Sequence, residues 1–157
     1  MKNKKVIKII VILGIIAFLI GGGIGLYLFN MPHRDVKAAK ADYSLTSSQI
    51  VSEYLTNKEA ANLKYLAADG DSKILEVSGE VDKISEDFTG QKVVLLKSAG
   101  DKAGVSATFT KKTNAKLSGV QKGNLITFKG VIRSGASYDE DLELYENVIL
   151  EKSDIVK

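Results

Sequence analysis

Between residues 138 and 145 the chain reads YDEDLELY, four carboxylates enclosed by two tyrosines. Asp139, Glu140, Asp141 and Glu143 could in principle offer the oxygen ligands that a hard cation such as Ca²⁺ takes. The Asp-x-Asp-x-Asp-Gly spacing of a calcium loop is missing, however, and a run of acids between two strands is simply read as a solvated turn. The DGD at Asp69–Asp71 is read the same way. The tyrosines suggest different chemistry, because Tyr138 and Tyr145 together could form an aromatic platform for a glycan or a peptide. Tyr145 is out of phase with Leu144, Val148 and Leu150, so it could face solvent, but cross-strand packing is the better reading. Tyr138, Asp139, Asp141 and Tyr145 are therefore the candidate ligand contacts of this stretch.

Lys92, Lys97 and Lys111 are the candidates for a second chemistry, binding of single-stranded nucleic acid. Such sites pair a basic groove with exposed aromatic rings that stack on bases. The stretch Lys92–Lys97 carries no aromatic residue, and Phe109, just ahead of Lys111 and Lys112, shares the face of Val105 and Ala107 and is read as core. The charge balance argues against a polyanion too. Residues 1–41 hold seven basic residues against one acid, a balance of +6, whereas residues 42–157 hold fifteen against eighteen, a balance of −3. The basic footprint is absent where it would be needed.

Other chemistries lose their residues outright. The chain has no cysteine, which removes disulfides, thiol nucleophiles and Cys-ligated zinc. Its one histidine, His33, stands between Pro32 and Arg34, close to an apolar segment, with Asp35 two residues on and every other acid at position 42 or later. No nucleophile elbow, phosphate loop or metal-ligand spacing is present. The sequence is read as that of a binding protein with no catalytic residues, no cofactor and no metal.

The apolar segment is Ile9–Phe29, twenty-one residues without a charge. At about 1.5 Å per residue they make roughly 32 Å of helix, close to the hydrocarbon thickness of a bilayer. A secretory h-region is shorter, about 7–15 residues, and a small-x-small cleavage site follows it closely. Ala39-Lys40-Ala41, the nearest such site, lies ten residues past the apolar end. An uncleaved signal anchor is expected over 9–29. The four lysines of MKNKKVIK form a cytoplasmic tail over 1–8, which places the C-terminal domain outside the cytoplasm. Gly21 and Gly25 have the G-x-x-x-G spacing of a helix dimerisation face, although glycine is common in membrane helices in any case.

Residues 30–45 are polar and read as a tether. Thr46 and Gln49 form a capping box that opens a helix through about Leu66, with Ile50, Val51, Tyr54, Leu55, Ala61 and Tyr65 on one stripe. Beyond it the period changes to two. Leu75, Val77, Gly79 and Val81 alternate with Glu76, Ser78, Glu80 and Asp82, and Gly79 marks a bulge or a bend. Further strands are expected at QKVVLLK, VSATF, LITFKGVIR and LELYENVILEKSDIV, with a short helix near Asn114–Ser118. Three strands, a short helix and two more strands make the chain plan of the OB-fold, a five-stranded Greek-key barrel. A two-sheet sandwich would need about seven strands.

Four stretches carry a resemblance: EYLTNKEAANLKY ahead of the first barrel strand, VSGEV within it, KGNLITFKGVI in the fourth, and LYENVILEKSDIV at the end. From Thr46 onward the chain resembles the bacterial tRNA_anti-like proteins, OB-fold domains often preceded by a membrane or export segment. The chain departs from them in a longer acidic connection, LAADGDSK, and in Ser153, where some relatives carry cysteine. The resemblance implies the barrel and supplies no functional residues.

The expectation is thus a mainly β protein: a helix-capped OB-fold over 46–157, anchored by one transmembrane helix in a bacterial cell membrane. Its partners are expected among envelope proteins, peptides or glycans. A single-stranded nucleic-acid-binding barrel and a purely structural envelope domain are the alternatives.

Overall fold

The computed structural model describes residues 21, 22, 36, 38–68 and 71–156. The chain divides into two units, 1–34 and 35–157. In the first, only Gly21 and Gly22 are described, and both are helical and exposed. The expected tail over 1–8, the anchor over 9–29, Gly25 and His33 otherwise lie outside the described residues. Among those described, no helix is long and apolar enough to cross a membrane.

The folded part begins ahead of Thr46, the boundary expected from the sequence. Tyr43–Thr46 is a strand, β1, parallel to the start of β2 (Ile74–Glu86). Asp42 fixes its register twice: its backbone N–H donates to the Ile74 carbonyl at 2.8 Å, and its Oδ2 accepts from the Ile74 N–H at 2.7 Å. Val36 is buried with Ile74 and Val131 on the outer side of the barrel. The expected tether is thus partly a cover for apolar side chains that point away from the main core.

Thr46 ends β1 and caps helix α1 (Ser47–Thr56). Its hydroxyl accepts from the Gln49 N–H and the Gln49 side chain accepts from the Thr46 N–H, the expected capping box, typically worth about 1 kcal/mol. The expected single helix to Leu66 is instead two. Asn57 adopts an extended conformation, closes α1 through its N–H to the Glu53 carbonyl, and opens α2 (Lys58–Tyr65) by accepting the Ala60 N–H on its side chain. Asparagine bonds to nearby backbone more readily at a cap than inside a helix, and here it caps both ways. The stripe survives the break: Ile50, Val51, Tyr54, Ala61 and Tyr65 are all buried.

Glu53 joins the two helices, accepting from Lys64 Nζ at 2.8 Å and from the Tyr65 hydroxyl at 2.8 Å. The hydrogen bond from Lys64 lowers the Glu53 pKa below its ordinary value near 4.5, against an opposing effect of burial. A carboxylate depressed in the folded state stabilises above its unfolded pKa, and that stability is lost as pH falls through the folded value. The urea midpoint should therefore decline as pH drops below about 4.5, and Glu53→Gln should flatten that decline. An unchanged slope in the variant would remove this network from the acid response.

The barrel consists of β2, β3 (Lys92–Leu96), β4 (Val105–Phe109), β5 (Leu125–Ser134) and β8 (Val148–Ile155). Strands β2, β3 and β4 form an antiparallel meander, β8 lies between β4 (parallel) and β5 (antiparallel), and β5 returns to β2. This is the expected OB-fold closure. The long β2 serves two neighbours, pairing with β5 over Ile74–Glu80 and with β3 over Val81–Glu86. Its register shift falls between Val81 and Lys83, not at Gly79 as expected. Gly79 is needed for space instead, since a Cβ there would stand 2.6 Å from Ser47 Oγ and 3.2 Å from Leu96 Cβ. It admits the start of α1 to the barrel wall.

The interior holds the alternating residues of all five strands, with Phe109 and Phe128 edge to face at 6.0 Å. A 3-10 helix, Asn114–Leu117, contributes Leu117 to it. The expected fifth strand over 142–156 is interrupted. Ser137–Asp139 (β6) and Leu144–Glu146 (β7) form a separate hairpin, and β8 starts only at Val148. Asn147 makes the break: its Oδ1 accepts the Gly104 N–H at 2.8 Å, and the next N–H, of Val148, donates to the Gly104 carbonyl.

Candidate binding cleft

Tyr138 and Tyr145 are direct cross-strand partners in the β6–β7 hairpin, with ring centroids 4.8 Å apart and planes inclined at 49°. Directly paired residues share a face of a two-stranded ribbon, so both rings lie on one side. Tyr138 is 48% exposed, whereas Tyr145 is half-buried against the core. The acids between them build the turn. Asp139 Oδ1 accepts the N–H groups of Asp141 and Leu142, both at 2.9 Å, and Glu143 takes a left-handed backbone, φ 51°. Asp141 stands exposed at the tip. No metal-holding cluster of three or more His, Cys, Asp or Glu occurs among the described residues.

The tyrosine face borders a cleft of about 390 Å³ whose other wall is α1. Tyr54 and Leu55 supply that wall, Lys58 stands at the start of α2, and Lys102 enters from the β3–β4 loop. Lys102 Nζ lies 5.4 Å from the centroid of the Tyr145 ring, a cation over a π face. Ser48 on α1 donates to Asp101 Oδ2 at 2.7 Å, and this bond holds the loop against the helix and Lys102 in place. Lys97 Nζ reaches the Lys102 carbonyl at 3.4 Å.

Tyr54 is the buried member of that wall. It is 2% exposed, its hydroxyl has no hydrogen-bond partner among the described residues, and burial pushes its pKa up to about 12. The ring lies directly on Gly135, the residue through which β5 passes into the hairpin. The arrangement offers two aromatic faces and two ammonium groups on a scaffold of helix, loop and hairpin. It can stack on a flat or apolar group and neutralise an adjacent anion.

Of the residues singled out from sequence, Tyr138, Asp139, Asp141 and Tyr145 come together in one hairpin. Lys97 touches only the Lys102 carbonyl and does not line the cleft, and Lys92 and Lys111 lie away from it. The Lys92 N–H donates to Asn114 Oδ1, and Lys111 is exposed in the turn after β4. Tyr54, Lys58 and Lys102 went unmarked in the sequence, because residues so far apart in the chain meet only through the barrel topology. Phe88, fully exposed in the β2–β3 turn, was missed as well. Its signal was legible: an aromatic residue inside DFTG has no core to enter.

A closed five-stranded barrel of this strand order, with its cleft beside the connection between the fourth and fifth barrel strands, defines an OB-fold domain. The chain belongs to the tRNA_anti-like family, whose sequence profile matches residues 1–141. The match begins well ahead of Thr46 and stops short of β7 and β8, so LYENVILEKSDIV lies outside it. Among solved structures, a lipoprotein from Klebsiella pneumoniae subsp. pneumoniae, for which nucleic acid binding has been suggested, is 18% identical. It aligns over 81% of this chain and 100% of its own, with a TM-score of 0.53. The structure of yeast Stn1 and Ten1 aligns over 78% of this chain and 66% of the other, at 14% identity and a TM-score of 0.36. No curated protein matches the chain.

Proposed function

We propose that the chain is a membrane-anchored binding module displayed outside the cytoplasm, and that the cleft between α1 and the β6–β7 hairpin is where it takes a partner. The observation that carries this reading is the lining: Tyr54, Tyr138 and Tyr145 with Lys58 and Lys102 at one cleft. The ligand that suits it is a short segment of an envelope protein or peptide with an acidic group beside an aromatic or apolar one. The surrounding acidic balance of −3 favours a short segment over a long polyanion. The uncharged run over 9–29 and the lysines ahead of it support the anchor and its orientation.

Single-stranded nucleic acid is the second reading, favoured by one observation: Lys102 over the Tyr145 ring is the kind of aromatic and cationic pair on which bases stack. A photoreactive phenylalanine analogue in place of Tyr138, activated in intact cells, separates the two. An adduct destroyed by protease, resistant to nuclease and lost on Lys102→Glu is the expected result. A nuclease-sensitive adduct transfers the site to the second reading, and no adduct at all removes the cleft as a site.

A further inference from the structure

We propose that the β2–β3 turn, together with the turn after β4, forms a second contact surface, directed at an anionic lipid bilayer. Phe88 stands fully exposed at the tip of the first turn. That turn is rigid: Asp87 Oδ1 accepts from the Thr89 N–H, the Thr89 hydroxyl and the Gln91 N–H at 2.8, 2.8 and 2.9 Å. The Asp87 N–H donates in turn to the Gln91 carbonyl at 2.9 Å. A large apolar ring fixed in water this way adds nothing to the core.

The second turn supplies charge. Lys111 and Lys112 are exposed and make no ion pair among the described residues. Their turn is locked by Thr113, whose hydroxyl donates to the Ser153 carbonyl at 2.8 Å and accepts the Thr110 N–H at 2.9 Å. Asn114 then stitches the two turns together, donating from Nδ2 to the Gly90 carbonyl at 2.8 Å and accepting the Lys92 N–H at 2.9 Å. One end of the barrel therefore presents an apolar tip beside free ammonium groups. The nearby acids are Glu86 at the base of the first turn, Asp87, whose carboxylate is spent within it, and the buried Asp154, which Lys116 pairs at 2.6 Å.

Charge complementarity selects the occupant. An aromatic ring that enters the headgroup boundary while lysines remain at the phosphates is the pattern of interfacial attachment. The patch is too small to hold a free protein on a membrane. It becomes effective for a chain already tethered there, since the second contact is then intramolecular; the inference rests on the anchor reading above.

The chain contains no tryptophan, so F88W introduces a single reporter. The full chain carrying it is reconstituted into vesicles of phosphatidylcholine, alone or mixed with phosphatidylglycerol, and sedimented after a carbonate wash. In the anionic vesicles the emission should shift to the blue and be quenched by brominated lipid. Adding Lys111→Glu and Lys112→Glu should abolish both effects while sedimentation persists. Sedimentation with water-like emission overturns the contact alone, and failure to sediment overturns the anchor and the contact with it. Quenching by a single-stranded oligonucleotide instead of lipid, or a shift that follows protein density instead of lipid charge, also overturns it, in favour of nucleic acid or of a second copy.

Discussion

Gly135→Ala is expected to lower the unfolding free energy by roughly 3 kcal/mol, a large effect for one methyl group. The cause is space. A Cβ at this position would fall within the ring of Tyr54, which is itself buried between α1 and the barrel. Gly135 has no left-handed backbone to lose, so the penalty measures overlap and nothing else. Either the ring leaves its place or α1 moves away from the hairpin, and the cleft widens in both cases. A double-mutant cycle in guanidinium distinguishes this from a general loss of fold. In a Tyr54→Leu background the cost of Gly135→Ala should shrink to below about 1 kcal/mol, because the two sites are in contact and couple. Equal costs in both backgrounds would show that the glycine serves something other than the tyrosine.

Phe109→Ala is expected to cost about 4 kcal/mol, within the range for truncating a buried phenylalanine. Its ring is fully buried and meets Phe128 edge to face, so the variant loses both burial and an aromatic pair. Tyr138→Ala, at an exposed position, should change stability by no more than about 0.5 kcal/mol. The contrast matters for function, because a base-stacking role for Phe109 would demand the reverse: an exposed ring whose removal is harmless to the fold. Denaturation of the two variants side by side tests it. A cost below about 1 kcal/mol for Phe109→Ala would mean that the ring is not core.

The alternation of Leu75, Val77 and Val81, the phase of Val105, Ala107 and Phe109, and the Thr46–Gln49 cap all carry over into the structure. Each is set by neighbours within a few residues, where period and side-chain chemistry decide the outcome. Asn57 escaped because the apolar stripe continues across it: a helix period does not reveal that one residue can end one helix and start the next. The hairpin escaped for a related reason. Tyr138 and Tyr145 lie in runs that read equally well as a loop and as the start of a long strand, and only the bond from the Gly104 N–H to Asn147 separates hairpin from barrel. The tyrosine half of the cleft was legible as a pair of rings flanking a turn. Its other half, Tyr54, Lys58 and Lys102, was not, because the coil of β2 and the lean of α1 on Gly135 determine which distant loops face one another.

The position of β8 has a consequence for how the protein is made. The strand lies between β4 and β5 and completes both ladders, yet it is the last of the five barrel strands to leave the ribosome. Until residue 155 has emerged, β4 and β5 each carry an unpaired edge, and the core residues Val148 and Leu150 are missing from between them. At about 5–20 residues per second, roughly one to four seconds of synthesis separate the end of β5 from the end of β8, and for that time every other barrel strand exists and the barrel cannot close. For that interval the nascent chain has open edges of the kind that chaperones shield or neighbouring chains capture.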